Sequence, residues 1–207
     1  MGQKINPISF RLGKKSDWKS RWFAKRDYSK LFLEDLKIRK YIEEKLAKNF
    51  ISEVNLVRDK NAITVIIHTA RPGMIIGRSG AAILTLKDNL KKMTKSELSI
   101  NVEEIKEPNL DAKIVALNIA NQIEKRIAYK RAMKQAIAHV MEAGALGIKV
   151  ICKGRLGGVE IARCEAMSEG SLPLGTIDAD INFDQVDAKT TYGTIGVKVW
   201  IHRKIKT

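Results

Sequence analysis

Between about Tyr28 and Lys48 apolar residues recur at helical spacing. Leu31, Phe32, Leu36, Tyr41, Ile42 and Leu46 follow that period, and Lys37, Arg39, Lys40 and Lys45 fill much of the rest. The pattern predicts a helix. The period then drops to two. Ile51–Arg58 largely alternates, and Ala62–Thr69, AITVIIHT, is a β-branched run that reads as a more fully buried strand. Asp59-Lys60-Asn61 between them suits a hairpin turn. Next comes ARPGMIIGRSGAAI, from Ala70 to Ile83, apolar on both sides of Gly77-Arg78-Ser79-Gly80. Ala81–Met93 reads as a helix with Ile83, Leu84, Leu86 and Leu90 inward, and Leu98–Ile105 as a third strand.

Glu107-Pro108-Asn109 marks a boundary. A long helical pattern follows from about Leu110 to Glu142, striped by Ile114, Leu117, Ile123, Ile127, Ile137 and Met141, with room for a break near Tyr129. Gly144 suits its C-terminal cap. The remainder is rich in glycine and β-formers: Ile148–Lys153 and Thr194–His202 are its clearest strands, Ala179–Phe183 a weaker one. Residues 1–19 lack a period and read as an arm. The fold class is therefore α+β: an arm over 1–19, a helix with a three-stranded, helix-covered sheet over 20–107, and a second α+β domain over 108–207.

Charge changes the picture. The chain has 207 residues and a formal net charge of +15, and residues 1–48 hold 14 basic residues against 6 acidic ones. Such a surplus opposes compaction but favours a polyanion, because each neutralised phosphate releases condensed counterions. No apolar run reaches the length of a membrane span, so a membrane partner is not expected. Cys152 and Cys164, in no Cys-X-X-Cys pattern, read as reduced thiols, and His68, His139 and His202 show no metal-ligand spacing. No cofactor, metal or small-molecule substrate is expected.

Three stretches carry candidate chemistry. Gly77 and Gly80 allow the backbone to approach a sugar-phosphate chain, while Arg78 adds a charge and Ser79 a hydroxyl. The next helix start, Gly80–Ala81, aims unpaired N–H groups there, and Ile75, Ile76 and Ile83 suggest an apolar shelf for unstacked bases. A Gly-X-X-Gly turn so flanked fits a KH loop for single-stranded nucleic acid; it is not a Walker loop. On the long helix, Arg126, Lys130 and Lys134 stand four apart with Arg131 beside them, and only Glu124 is near to pair with them. The row reads as a phosphate grip or as a solvated face. In Lys153–Arg163, three glycines and three cations fall together, fitting either RNA contact or tight turns.

Longer segments then carry a resemblance. MGQKINP with RLG, HTARPGMIIGRSG, LDAKIVA, KRAMKQAI, GIKV, GRLGGVEIAR and TTYGTIGVKVWI follow in order along nearly the whole chain, which resembles bacterial small-subunit ribosomal protein three. The resemblance implies a type II KH domain and a cytoplasmic place in the head of the small ribosomal subunit. It implies binding to small-subunit ribosomal RNA, in which Lys4, Arg11, Lys14, Arg155, Gly157, Gly158 and Arg163 are the expected contacts. It implies head-protein neighbours, the tenth and fourteenth. It further implies that Lys130, Arg131 and Lys134 face messenger RNA at its entrance and help unwind it, and Arg126, of the same basic row, is expected to join them there. Gly175 and Asp178 stand where the family usually has histidine and arginine, which reverses a charge.

Two rival functions differ in kind. A free KH-type RNA-binding regulator would need neither GRLGGVEIAR nor TTYGTIGVKVWI. A nuclease would use Asp178, Asp180 and Asp184 on a metal. The expected function is structural and not enzymatic.

Overall fold

Unit by unit, the strands set the frame. The computed structural model describes residues 4–14, 16–46, 50–59, 62–94 and 96–204, with Ser79 described in its backbone only. The chain divides into two compact units, Trp18–Lys106 and Met1–Asp17 with Glu107–Thr207. The expected continuation of the first helix to Lys48 and the turn residues Lys60 and Asn61 lie outside the described residues.

In the Trp18–Lys106 unit, β1 (Ser20–Arg21) runs parallel to β2 (Ile51–Arg58). β2 pairs antiparallel with β3 (Ala62–Thr69), and the Asp59 N–H donates to the Ala62 carbonyl at 2.9 Å where they turn. β3 pairs parallel with β4 (Glu97–Glu104), giving the order β1-β2-β3-β4. A parallel pair needs a crossover. Between β3 and β4 it comes as α3 (Pro72–Ile76) and α4 (Ala81–Lys91), and between the parallel β1 and β2 as α2 (Tyr28–Lys45). The AITVIIHT strand is not doubly buried. Ile63, Val65, Ile67 and Thr69 are buried and alternate with half-buried residues, because helices cover one sheet face only.

α2 turns a different face inward than its apolar period suggests. It buries Asp35, Ile38 and Ile42, while Phe32 and Leu36 are exposed. The cause is an ion pair. The Arg58 guanidinium lies 2.6 Å from Asp35 Oδ1, Glu34 Oε2 sits 3.1 Å from Arg58 Nη1, and Trp22 Nε1 donates to Asp35 Oδ2 at 2.7 Å. Buried charges must be paired in this way, and the pairing fixes the helix rotation. Tyr28 and Phe32 are left stacked outside, ring centroids 6.0 Å apart. On α4, Leu86 and Leu90 are buried as expected, but Leu84 is exposed and Ile83 half-buried.

In the other unit the long pattern is two helices, α5 (Ala112–Glu124) and α6 (Tyr129–Glu142). Asp111 caps α5 by accepting from the Lys113 and Ile114 N–H groups. α5 ends in a Schellman turn: Arg126 N–H donates to the Ile123 carbonyl and Ile127 N–H to that of Gln122. Arg126 takes the left-handed position, φ +63°, that glycine usually fills. Ile127, expected in the buried stripe, is exposed as a result, and Leu117 is half-buried.

Both helices pack on one face of an antiparallel sheet ordered β6-β5-β8-β7: β5 (Gly147–Gly154), β6 (Arg163–Gly170), β7 (Ile181–Thr190) and β8 (Gly193–His202). Ile148, Val150, Val197, Val199 and Ile201 form its buried face with Ile119, Ala132 and Met133. Each large aliphatic side chain buried there contributes about 1.5–3 kcal/mol. The strand expected at Ala179–Phe183 starts later and runs much further. β6 carries no sequence signal, since this edge strand is mostly polar and exposed. Cys152 is buried, which pushes its thiol up to about 11; Cys164, one register step away on β6, is exposed on the other sheet face.

The arm packs on this second unit. α1 (Pro7–Phe10), capped by Asn6 Oδ1, lies against β7.

Candidate nucleic-acid interface

The Gly-X-X-Gly segment is a tight helix-to-helix turn. Pro72 starts α3, whose first N–H has no partner to lose. The Gly77 N–H closes it on the Gly73 carbonyl at 3.0 Å. Gly77 then adopts φ +72°, ψ −175°, and a Cβ on it would stand 2.6 Å from Ala82 Cβ. This combination of angles is essentially confined to glycine. Arg78–Gly80 forms one 3₁₀ turn, and Gly80, φ +78°, caps α4 with no side chain bonded to the cap. Arg78 is exposed and forms no ion pair among the described residues. The Ser79 hydroxyl lies outside the described residues.

The apolar shelf is made of other residues than the sequence suggests. Ile75 is 2% exposed and belongs to the core, and Ile83 is half-buried. Ile76, Met74 and Leu84 are the exposed apolar side chains flanking the turn, at 40%, 53% and 59%. Helical spacing across α3 and α4 carried that signal. Arg71, just before α3, stands with its guanidinium 5.2 Å from the Phe50 ring centroid and is exposed.

The basic row divides. Arg126 is in the turn between helices and does not share the face of α6, so the four-residue spacing does not align it with Lys130 and Lys134. Lys130, Arg131 and Lys134 are exposed on α6 and, with Ala128 and Gln135, line an open concavity of ≈ 700 Å³. Lys130 and Lys134 are one turn apart, about 6 Å along the axis. None of the three forms an ion pair among the described residues. Glu124, the acid expected to compete, instead accepts from the Lys189 backbone N–H at 2.9 Å.

The glycine-rich loop after β5 is held from within. Arg155 Nε donates to the Val159 carbonyl at 2.9 Å and Nη1 to the Tyr192 carbonyl at 3.1 Å. Gly158, φ +85°, lets Tyr192 pass close, its ring 3.3 Å from where a Cβ would stand. Gly157 faces open space, and Arg163 is exposed where β6 begins.

Arg11 corrects an expectation. It is 2% exposed: Nε donates to the Ala179 carbonyl at 2.8 Å, Nη2 to those of Thr176 at 2.7 Å and Leu174 at 3.1 Å, and Nη1 to that of Pro7 at 3.3 Å. Its donors are consumed inside the protein, so it anchors the arm and does not meet RNA. The segment it grips contains Gly175 and Asp178. Because the grip is on main-chain carbonyls, Gly175 and Asp178 do not disturb it, and Asp178 gains an exposed pairing with Lys14 at 3.6 Å. Lys4 is exposed. Among the described residues no group of three or more His, Cys, Asp or Glu could hold a metal, and no helix is long and apolar enough to cross a membrane.

Two family profiles match: KH domain over residues 37–110, and Ribosomal protein S3, C-terminal domain, over 119–201. The chain is 54% identical over 204 residues to the small ribosomal subunit protein uS3 of Carboxydothermus hydrogenoformans, covering 98% of this chain and 92% of that protein. It is 52% identical over 203 residues to uS3 of Syntrophomonas wolfei, covering 98% and 89%, and 50% identical over 203 residues to uS3 of Bacillus cytotoxicus, covering 98% and 93%. The chain belongs to the uS3 family. It is a ribosomal, RNA-binding protein with a KH domain. The two matches divide along the chain much as its elements do: the KH match spans β2 to β4, and the C-terminal match runs from the second half of α5 into β8.

Proposed function

We propose that the chain serves in the head of the small ribosomal subunit, in the cytoplasm, binding small-subunit ribosomal RNA and lining the entrance for messenger RNA. The observation that carries this reading is the open concavity on α6, where Lys130, Arg131 and Lys134 meet with no acid paired to them among the described residues. Unpaired cations on a rigid helix attract phosphates at little reorganisation cost. As the ribosome draws messenger inward, side chains holding one strand's phosphates keep it from its complement. No nucleotide hydrolysis by the chain is required.

Ribosomal RNA contacts fall to Lys4, Lys14, Arg155, Gly157, Gly158 and Arg163, and the Gly77–Gly80 turn with Arg78 offers the backbone of a KH loop. Arg126, beside the concavity in sequence, adds charge at the turn. The boundaries 1–19, 20–107 and 108–207 separate arm, KH domain and messenger-facing domain. Exposed Phe23, Tyr28, Phe32 and Leu36 fit contact with neighbouring head proteins such as the tenth and fourteenth.

The test is translation by ribosomes carrying Lys130→Ala, Arg131→Ala and Lys134→Ala together. Passage through a stable messenger hairpin is expected to slow severalfold, with unstructured messages unaffected. Surface changes of this kind alter stability within about 0.5 kcal/mol, so folding is preserved. Equal rates on both messages would refute the messenger role.

A further inference from the structure

The second sheet has one face that α5 and α6 leave uncovered, with α1 and the buried Ile181 at one end of β7. Its outward residues follow from the register. Ser168, Lys149, Trp200 and Phe183 form one row across β6-β5-β8-β7, and Ala166, Ile151, Lys198 and Gln185 the next. Cys164, Lys153, Gly196 and Asp187 form a third. α5 and α6 pack on the opposite face, and α1 meets this sheet at β7, where Arg11 grips the Ala179 carbonyl. Exposure agrees: Lys153, Cys164, Ala166, Ser168 and Gln185 are exposed, and Lys149, Ile151, Phe183, Lys198 and Trp200 are half-buried.

The chemistry of this face is specific. Phe183 and Trp200 pair with ring centroids 5.0 Å apart at 33°. Lys149 lies directly opposite Trp200 on β5, Lys198 is two residues from it on β8, and Lys153 extends the cationic side. The sole acid in these three rows is Asp187, at the far corner. The acids of β6, Glu165 and Glu169, are paired in register with Cys152 and Ile148 and so point to the helix side. Aromatic rings set among lysines on a four-stranded sheet suit unstacked bases with their phosphates alongside. A protein partner would call for a broader apolar area or for acids to match its own cations.

We propose that this bare sheet face is a further RNA site, which takes a single-stranded segment by stacking bases on Trp200 and Phe183 and pairing phosphates with Lys149, Lys153 and Lys198. It is distinct from the α6 concavity and the Gly77–Gly80 turn, since neither contributes a residue to it.

The probe is an unstructured 12-nucleotide RNA bearing 4-thiouridine, irradiated with the full-length chain and followed by peptide mapping, with affinity read by fluorescence anisotropy. Cross-links are expected at Trp200, Phe183 or Ile151–Lys153. Lys149→Glu with Lys198→Glu removes two phosphate contacts, so affinity is expected to fall about tenfold at 0.1 M salt, with the salt slope reduced by about 1.4. Lys149→Gln with Lys198→Gln gives a smaller fall of the same kind and serves if the reversed pair does not fold. The Lys130→Ala, Arg131→Ala, Lys134→Ala chain must keep the Trp200 cross-links, which separates this site from the messenger role. Cross-links confined to α6 and Arg78, with affinity untouched by either lysine pair, would overturn the site and leave the proposed function standing. The same follows if, in irradiated small subunits, this face cross-links only to protein.

Discussion

At Gly77 the backbone and its surroundings make the same demand. The left-handed φ with extended ψ excludes other residues, and Ala82 closes the space where a Cβ would go. Gly80 is also left-handed, but nothing lies within 4 Å of its Cβ position. Gly77→Ala is therefore expected to lower stability by about 2–3 kcal/mol, combining backbone strain with overpacking. Gly80→Ala should cost only about 1–2 kcal/mol. Chemical unfolding followed by a signal from the Trp18–Lys106 unit checks this; equal losses at the two sites would contradict the geometry. The two glycines are legible in the sequence, but their inequality is not, because it depends on where Ala82 folds back. Arg11 was illegible for a related reason. A cation in a basic arm looks like an RNA contact until carbonyls from residues 174–179 surround it.

Among the elements, the break between α5 and α6 shows how far periodicity reaches. The stripe from Ile114 to Met141 runs on across the turn, so periodicity leaves room for a break near Tyr129, where α6 does begin, without marking the cap. The chain ends α5 with Arg126 where a glycine would have announced the cap. A non-glycine residue there costs about 1 kcal/mol or more. Arg126→Gly is expected to stabilise the C-terminal unit by about 1 kcal/mol while removing a charge at the turn before α6. A thermal melt of the full chain checks the first effect, and an unchanged or lowered transition would contradict the left-handed assignment. The strands and helices around the Gly-X-X-Gly turn were readable because their apolar residues serve burial. The face of α2 was not, since the Asp35–Arg58 pair sets it. β6 was not, since its pairing is made by backbone and its side chains are mostly exposed.

For the whole molecule, charge and family agree. A surplus of +15 weakens compaction, and what it offers in return is attraction to phosphate. Several cations form no ion pair among the described residues: Lys130, Arg131 and Lys134 on α6, Arg78 at the KH turn, and the lysines of the bare sheet. Others, such as Arg11 and Arg58, serve the fold. Composition gave the total but could not sort these groups, because the sorting is done by partners distant in sequence. The most direct measurement is sedimentation of the tagged chain from cell extract through a gradient at moderate salt. It should travel in equal amount with small subunits and be released as salt is raised, as contacts to phosphate require. A chain that stays at the top of the gradient, absent from small subunits at every salt concentration, would contradict a place in the ribosome.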